Sequence, residues 1–129
     1  MKNKHIQIAA ILGALAVGIG AFGAHGLAEL IARHGRTETF ETAVKYHFYH
    51  TLAILAVGIL QAIFPDKKHL DSAGFLFLVG ILIFSGSLYV LSLTGITWLG
   101  AITPLGGVAF ILGWIFLFLA VKSSKIEQP

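Results

Sequence analysis

The side chains best able to do chemistry in this sequence stand inside its apolar stretches. His47 and His50 are three residues apart and so share one face of a helix. His25 follows the run Gly20-Ala21-Phe22-Gly23-Ala24, and Ser85, Tyr89 and Ser92 form a second helical stripe. Imidazole can bind a metal, relay a proton or respond to pH near neutrality. A neutral imidazole bonded to a hydroxyl or a backbone carbonyl is also a good fastener between helices, and that is the preferred reading of His25 and His50. No carboxylate lies within the apolar stretches and no His-Glu-x-x-His pattern occurs, which argues against a metallohydrolase or a proton pump. Cysteine is absent, so disulfides, thiolate catalysis and Cys-ligated metals are excluded. No metal or cofactor is expected.

The elements that carry these residues follow from composition. The chain of 129 residues is 57% hydrophobic and 12% charged, against about 45–50% and about 25% in a soluble domain. Apolar stretches run over Ile6–Leu27, Val44–Phe64, Ala73–Leu93 and Thr103–Val121, each near the roughly 20 residues that cross a hydrocarbon core. Backbone groups in hydrocarbon must be paired within a helix or a closed barrel. Barrel strands have about 10 residues of alternating polarity, whereas these stretches are longer and do not alternate. The expected fold is all-α: a polytopic integral membrane protein, a compact four-transmembrane-helix bundle with residues 1–129 forming one membrane domain. Lys2 and Lys4 before the first stretch imitate a secretory signal, but that stretch exceeds the about 7–15 apolar residues of such signals. An uncleaved first span is expected.

Local signals place the helix ends. Gly35 is a stop for a first helix prolonged to Arg33, and Thr37 is an N-cap with Glu38 and Glu41 near the positive helix end. Pro65 closes the second helix, Asp71 or Ser72 caps the third, and Thr103-Pro104 opens the fourth. Lys2, Lys4, Lys67, Lys68, Lys122 and Lys125 flank one side of the spans; Arg33, Arg36 and Lys45, beside Glu29, Glu38 and Glu41, flank the other. This asymmetry predicts that both termini lie in the cytoplasm. His25, His50, Ser85 and Tyr89 then fall toward the outer leaflet and form the candidate polar pocket. His5, His34 and His69 lie in flanking segments and are expected to be solvated. Glu29 can reach His25 across one turn, and Arg33, Arg36, Glu38 and Glu41 can pair with one another.

Glycine is dense, at 15 residues. Gly18, Gly20 and Gly23 in the first helix and Gly106 and Gly113 in the fourth are the expected helix-packing positions, because small residues let backbones approach closely where lipid removes the hydrophobic drive. The first helix is expected to be surrounded by others, within the subunit or across a homo-oligomer interface. Trp98 has the placement of an interfacial anchor, and Trp114, deeper, needs a partner for its indole N–H. The net charge of +3 comes from lysines that flank spans and can meet anionic headgroups. Membrane lipids are thus expected contacts; no basic stripe with interleaved aromatics suggests nucleic acid.

Taken in order, Gly20-Ala21-Phe22-Gly23-Ala24-His25-Gly26-Leu27, Phe40-Glu41-Thr42-Ala43 with Tyr46 and His50-x-Leu52-Ala53, Phe84-Ser85-Gly86-Ser87-x-Tyr89, and Thr103-Pro104-Leu105-Gly106-Gly107 with Gly113-Trp114 form a specific set. The chain resembles the small bacterial membrane proteins of the YwdK/YgdD type, whose eukaryotic relative is transmembrane protein 256. The resemblance implies a four-span inner-membrane protein and no assigned activity. It also implies no metal site requiring His47, where Gln often stands in the family pattern. The function expected is that of a non-enzymatic, closely packed membrane protein, acting as a homo-oligomer or beside another membrane protein. The alternatives are a small channel or transporter using His25 and His50, and an enzyme acting on a lipid or quinone with His25 and Ser85.

Overall fold

In the computed structural model, which describes residues 3–122, each long apolar stretch is helical and no strand occurs among the described residues. Lys2 and Lys125, used in the charge argument, lie outside the described residues. The elements are α1 (Lys4–Ala24), α2 (Ala28–Arg33), α3 (Thr37–Ile63), α4 (Lys68–Gly80), a π-helical turn (Ile81–Ser85), α5 (Gly86–Thr94), a 3-10 turn (Thr97–Ala101) and α6 (Thr103–Lys122). α4, the π turn and α5 form one column, and the 3-10 turn leads into α6, so four columns are long and apolar enough to span a bilayer. The ends near Lys4, Ile63, Lys68 and Lys122 form the proximal end of the bundle. The opposite, distal end carries α2 and the 3-10 turn.

Several boundaries differ from the sequence expectation. The first helix does not continue to Arg33: it stops at Ala24, where His25 has φ −124° and ψ −78°, and restarts as α2. By then α1 has 21 residues, enough for the roughly 30 Å of hydrocarbon, so the freed backbone groups can meet water. Gly35 does end α2, with φ +66°, and Gly95 ends α5, with φ +73°. Both supply the left-handed conformation that closes a helix. Thr37 and Asp71 lie within the first turns of α3 and α4 and make no cap bond.

α3 lies between α1 on one side and the α4–π–α5 column on the other, and α6 packs on α4 and the π turn. The core of the bundle includes Ile54, Val57, Leu70 and Phe77, all fully buried. Glycines shape this packing by leaving hollows for rings. A Cβ at Gly23 would overlap Phe40, one at Gly80 would overlap Phe110, and one at Gly113 would overlap Phe77. At Gly106 the close neighbour is the backbone of Phe84 in the π turn. Gly20 makes only ordinary contact with Val44, and a Cβ at Gly18 would meet nothing. Among the described residues, then, α1 is not surrounded. It packs on α3, and only 17% of its apolar stretch is buried, against 39%, 44% and 28% for the other spans.

Candidate functional site

The polar side chains of the spans form a seam along α3. His47 ties three helices together: its Nε2–H donates to the Leu12 carbonyl of α1 at 2.9 Å, and its Nδ1 accepts from the Tyr89 hydroxyl of α5 at 2.7 Å. A carbonyl only accepts, so the ring proton belongs on Nε2, the arrangement of a neutral imidazole with both nitrogens engaged. His50 faces elsewhere, because three residues along a helix leave about 60° between side chains. Its Nδ1–H donates to the Tyr46 carbonyl at 2.8 Å, and its Nε2 accepts the Trp114 indole N–H at 3.1 Å. The ring also stacks on Phe110, with centroids 3.6 Å apart. Trp114 thus has the partner that its depth demanded.

The hydroxyls are engaged in the same way. Ser85 donates to the Ala43 carbonyl at 2.8 Å, Thr51 to His47 O at 2.7 Å, and Ser92 to Leu88 O at 2.7 Å. The Ser87 and Thr103 hydroxyls lie 2.6 Å apart, and Ser87 also bonds the Phe84 carbonyl inside the π turn. No fully buried side-chain nitrogen or oxygen among the described residues lacks a hydrogen-bond partner. No group of three His, Asp or Glu side chains among them converges as metal ligands would.

Of the four residues expected to share one outer pocket, Ser85, Tyr89 and His50 bond to separate partners along α3 and α6, and His25 joins none of them. His25 is exposed at the end of α1, and its side chain has no hydrogen bond to Glu29 or to any other described residue. The break after Ala24 carries it away from the seam. His25→Ala is therefore expected to change stability by less than about 0.5 kcal/mol, read as an unchanged unfolding midpoint of the detergent-solubilised protein.

Two flanking histidines depart from the solvated expectation. His5 is buried, because Gly74 leaves the hollow that its ring fills, while Gly58 admits the neighbouring Ile6. Its Nδ1–H donates to Gln61 at 2.9 Å, and its Nε2 lies 3.8 Å from Asp71. His34 donates to the Ser92 carbonyl at 3.1 Å and so covers one of the open carbonyls at the end of α5. His69 is exposed beside the Phe116 ring. Arg33, Arg36, Glu38 and Glu41 form no ion pair among the described residues. His5 and the role of His47 escaped sequence reasoning: both depend on neighbours from other helices.

A family model described as a protein of unknown function, DUF423, matches residues 19–107. The chain belongs to the DUF423 family. Among curated DUF423-like relatives, the UPF0382 membrane protein YwdK of Bacillus subtilis (strain 168) is 49% identical over 115 residues, covering 89% of this chain and 93% of the relative. A UPF0382 membrane protein of Haemophilus influenzae is 38% identical over 125 residues, 97% of this chain and 98% of its own. One from Staphylococcus aureus (strain bovine RF122 / ET3-1) is 50% identical over 114 residues, 85% and 91% of the two chains. No solved structure matches. The chain is thus an all-helical membrane protein of a family without a described activity. The DUF423 match takes in the His47–Tyr89 bond and the Gly106–Phe84 contact, while Leu12 and Trp114 lie beyond it.

Proposed function

We propose that this DUF423 protein is a non-enzymatic component of the bacterial inner membrane, with both termini cytoplasmic, that acts by assembling through α1 with a second copy of itself. The observation that carries the proposal is the mismatch between what α1 is made of and what covers it. Its small residues suit close helix contact, yet the face turned away from α3 is bare. Ala14 and Ala21 are exposed there, and a Cβ at Gly18 would meet nothing. Gln7 and His25, at the two ends of that face, also have no side-chain partner among the described residues. In lipid, close backbone approach and interhelical hydrogen bonds are what hold helices together. A copy packed on this face supplies both. The engaged state of His47, His50 and Ser85 supports the non-enzymatic reading and lends nothing to a channel or an enzyme built on them.

The chain has no cysteine, so a panel of single-cysteine variants tests this directly. Oxidation in native membranes is expected to cross-link Ala14→Cys and Gly18→Cys into dimers and to leave Ile111→Cys, exposed on α6, largely monomeric. Equal yields at all three positions would remove the α1 interface. The same panel reads orientation: an impermeant maleimide should label Gly35→Cys from outside the cell and Lys68→Cys only after permeabilisation. The reverse pattern inverts the topology and leaves the assembly result standing.

A further inference from the structure

At the distal end, α2 props the end of α1 away from the start of α3 and leaves a cavity of about 560 Å³ between the three helices. That volume lies within the roughly 300–1,000 Å³ of small-molecule sites. The cavity exists because its walls are small: Gly20 faces it from α1, and Ala28 and Ala32 face it from α2. Phe40 does not fill it, since the ring is drawn into the hollow at Gly23. Glu41 and Lys45 close one side. They stand one turn apart on α3, with the acid first, the order that favours pairing along a helix. Yet neither is paired with the other or with any described residue.

Depth decides what such a site meets. Counting about 20 residues back from Ile63, the length that spans about 30 Å of hydrocarbon, reaches Val44. The apolar floor therefore lies in the distal leaflet, and the two charges stand at its headgroup boundary. We infer that this cavity is a binding site for one phospholipid with an ethanolamine-type headgroup. An acyl chain lies along the Gly20 and Ala28 walls, the phosphate meets the Lys45 ammonium, and the lipid's primary ammonium donates to the Glu41 carboxylate. The two opposite charges match a zwitterion. An anionic headgroup would face Glu41 unfavourably. A choline headgroup has no N–H for Glu41, and hydrogen bonds to charged groups are the stronger kind. The site lies on the side of α1 turned toward α3, so it does not depend on the proposed α1–α1 contact.

The test uses the full chain in detergent, stripped of lipid and titrated separately with palmitoyl-oleoyl phosphatidylethanolamine, phosphatidylcholine and phosphatidylglycerol. Bound lipid is counted by native mass spectrometry. One ethanolamine lipid per chain is expected to bind about tenfold more tightly than either other lipid, the scale of one hydrogen bond to a charged group. Glu41→Gln should erase that preference, and Lys45→Gln should weaken retention of the ethanolamine lipid by about tenfold. Gly20→Leu fills the cavity but presses on Val44, 3.5 Å from where a Cβ would stand. Ala32→Phe, from the exposed α2 wall, fills it without touching the α1–α3 contact and should abolish binding. Equal retention of the three lipids overturns the inference, as does a preference for phosphatidylglycerol. Ethanolamine-lipid binding that survives both Lys45→Gln and Ala32→Phe overturns it as well.

Discussion

Replacing Gly106 with valine is expected to destabilise the protein by about 3 kcal/mol, the upper range for forcing atoms into a packed interior. A Cβ at this position would come within 2.7 Å of the Phe84 Cβ and 2.8 Å of its Cα, with the Phe84 backbone nitrogen closer still. A flexible side chain could swing aside, but these atoms belong to the π turn. Ser85 anchors that turn to the Ala43 carbonyl, and Ser87 bonds the Phe84 carbonyl within it. Retreat would therefore break the contact of the third column with α3. The neighbouring Gly107 is the control: its Cβ would lie 3.9 Å from the Phe84 ring, an ordinary contact, so Gly107→Ala should stay within about 0.5 kcal/mol of wild type. Unfolding midpoints in detergent, by heat or by added dodecyl sulfate, measure both. A wild-type midpoint for Gly106→Val would mean that α6 does not approach the π turn as described.

The second large effect is expected at His50. The residue is 5% exposed, and its ring lies among Phe110, Phe77 and Trp114. His50→Ala empties that space and should cost about 2–3 kcal/mol, since the surrounding rings relax only in part. His50→Phe keeps a ring against Phe110 and loses the acceptor for Trp114 together with the Nδ1–H bond to the Tyr46 carbonyl of its own helix. Interhelical hydrogen bonds in membranes average about 0.6 kcal/mol and reach about 1.7, so this variant should cost roughly 1 kcal/mol. Trp114→Phe should cost a similar amount, and the double variant should show that the two losses overlap rather than add. If His50→Phe proved as damaging as His50→Ala, the hydrogen bonds of the ring would outweigh its packing, and the order of the two contributions would be reversed.

Parts of the site are legible in the sequence because their cause is local. Trp114 announces its need for a partner through its depth, and the Ser85–Tyr89–Ser92 stripe announces a polar face by spacing alone. The partners are not legible. Ser85 bonds Ala43 because the π turn, flanked by Gly80 and Gly86, sets which side of the third column faces α3. His5 reads as a headgroup-level residue until Gly74, on another helix, is seen to make room for its ring. His25 reads as a pocket residue only as long as the first helix continues to Arg33. The break at Ala24 changes its direction.

Sequence by itself determined that this chain crosses a membrane four times as helices, because in hydrocarbon a backbone must satisfy its own hydrogen bonds and only long apolar stretches can enter. Its dense glycines also pointed to close helix approach, since small residues are what permit it in lipid; Gly23, Gly106 and Gly113 stand at such approaches and Gly18 does not. Tertiary structure decided which ring enters which glycine hollow, which nitrogen of each histidine is met by which group, and which face of α1 is left bare. Those outcomes depend on rotations of about 100° per residue and on helices distant in the chain. A three-residue break or a π turn redirects every side chain beyond it, and spacing read along the sequence does not register the change.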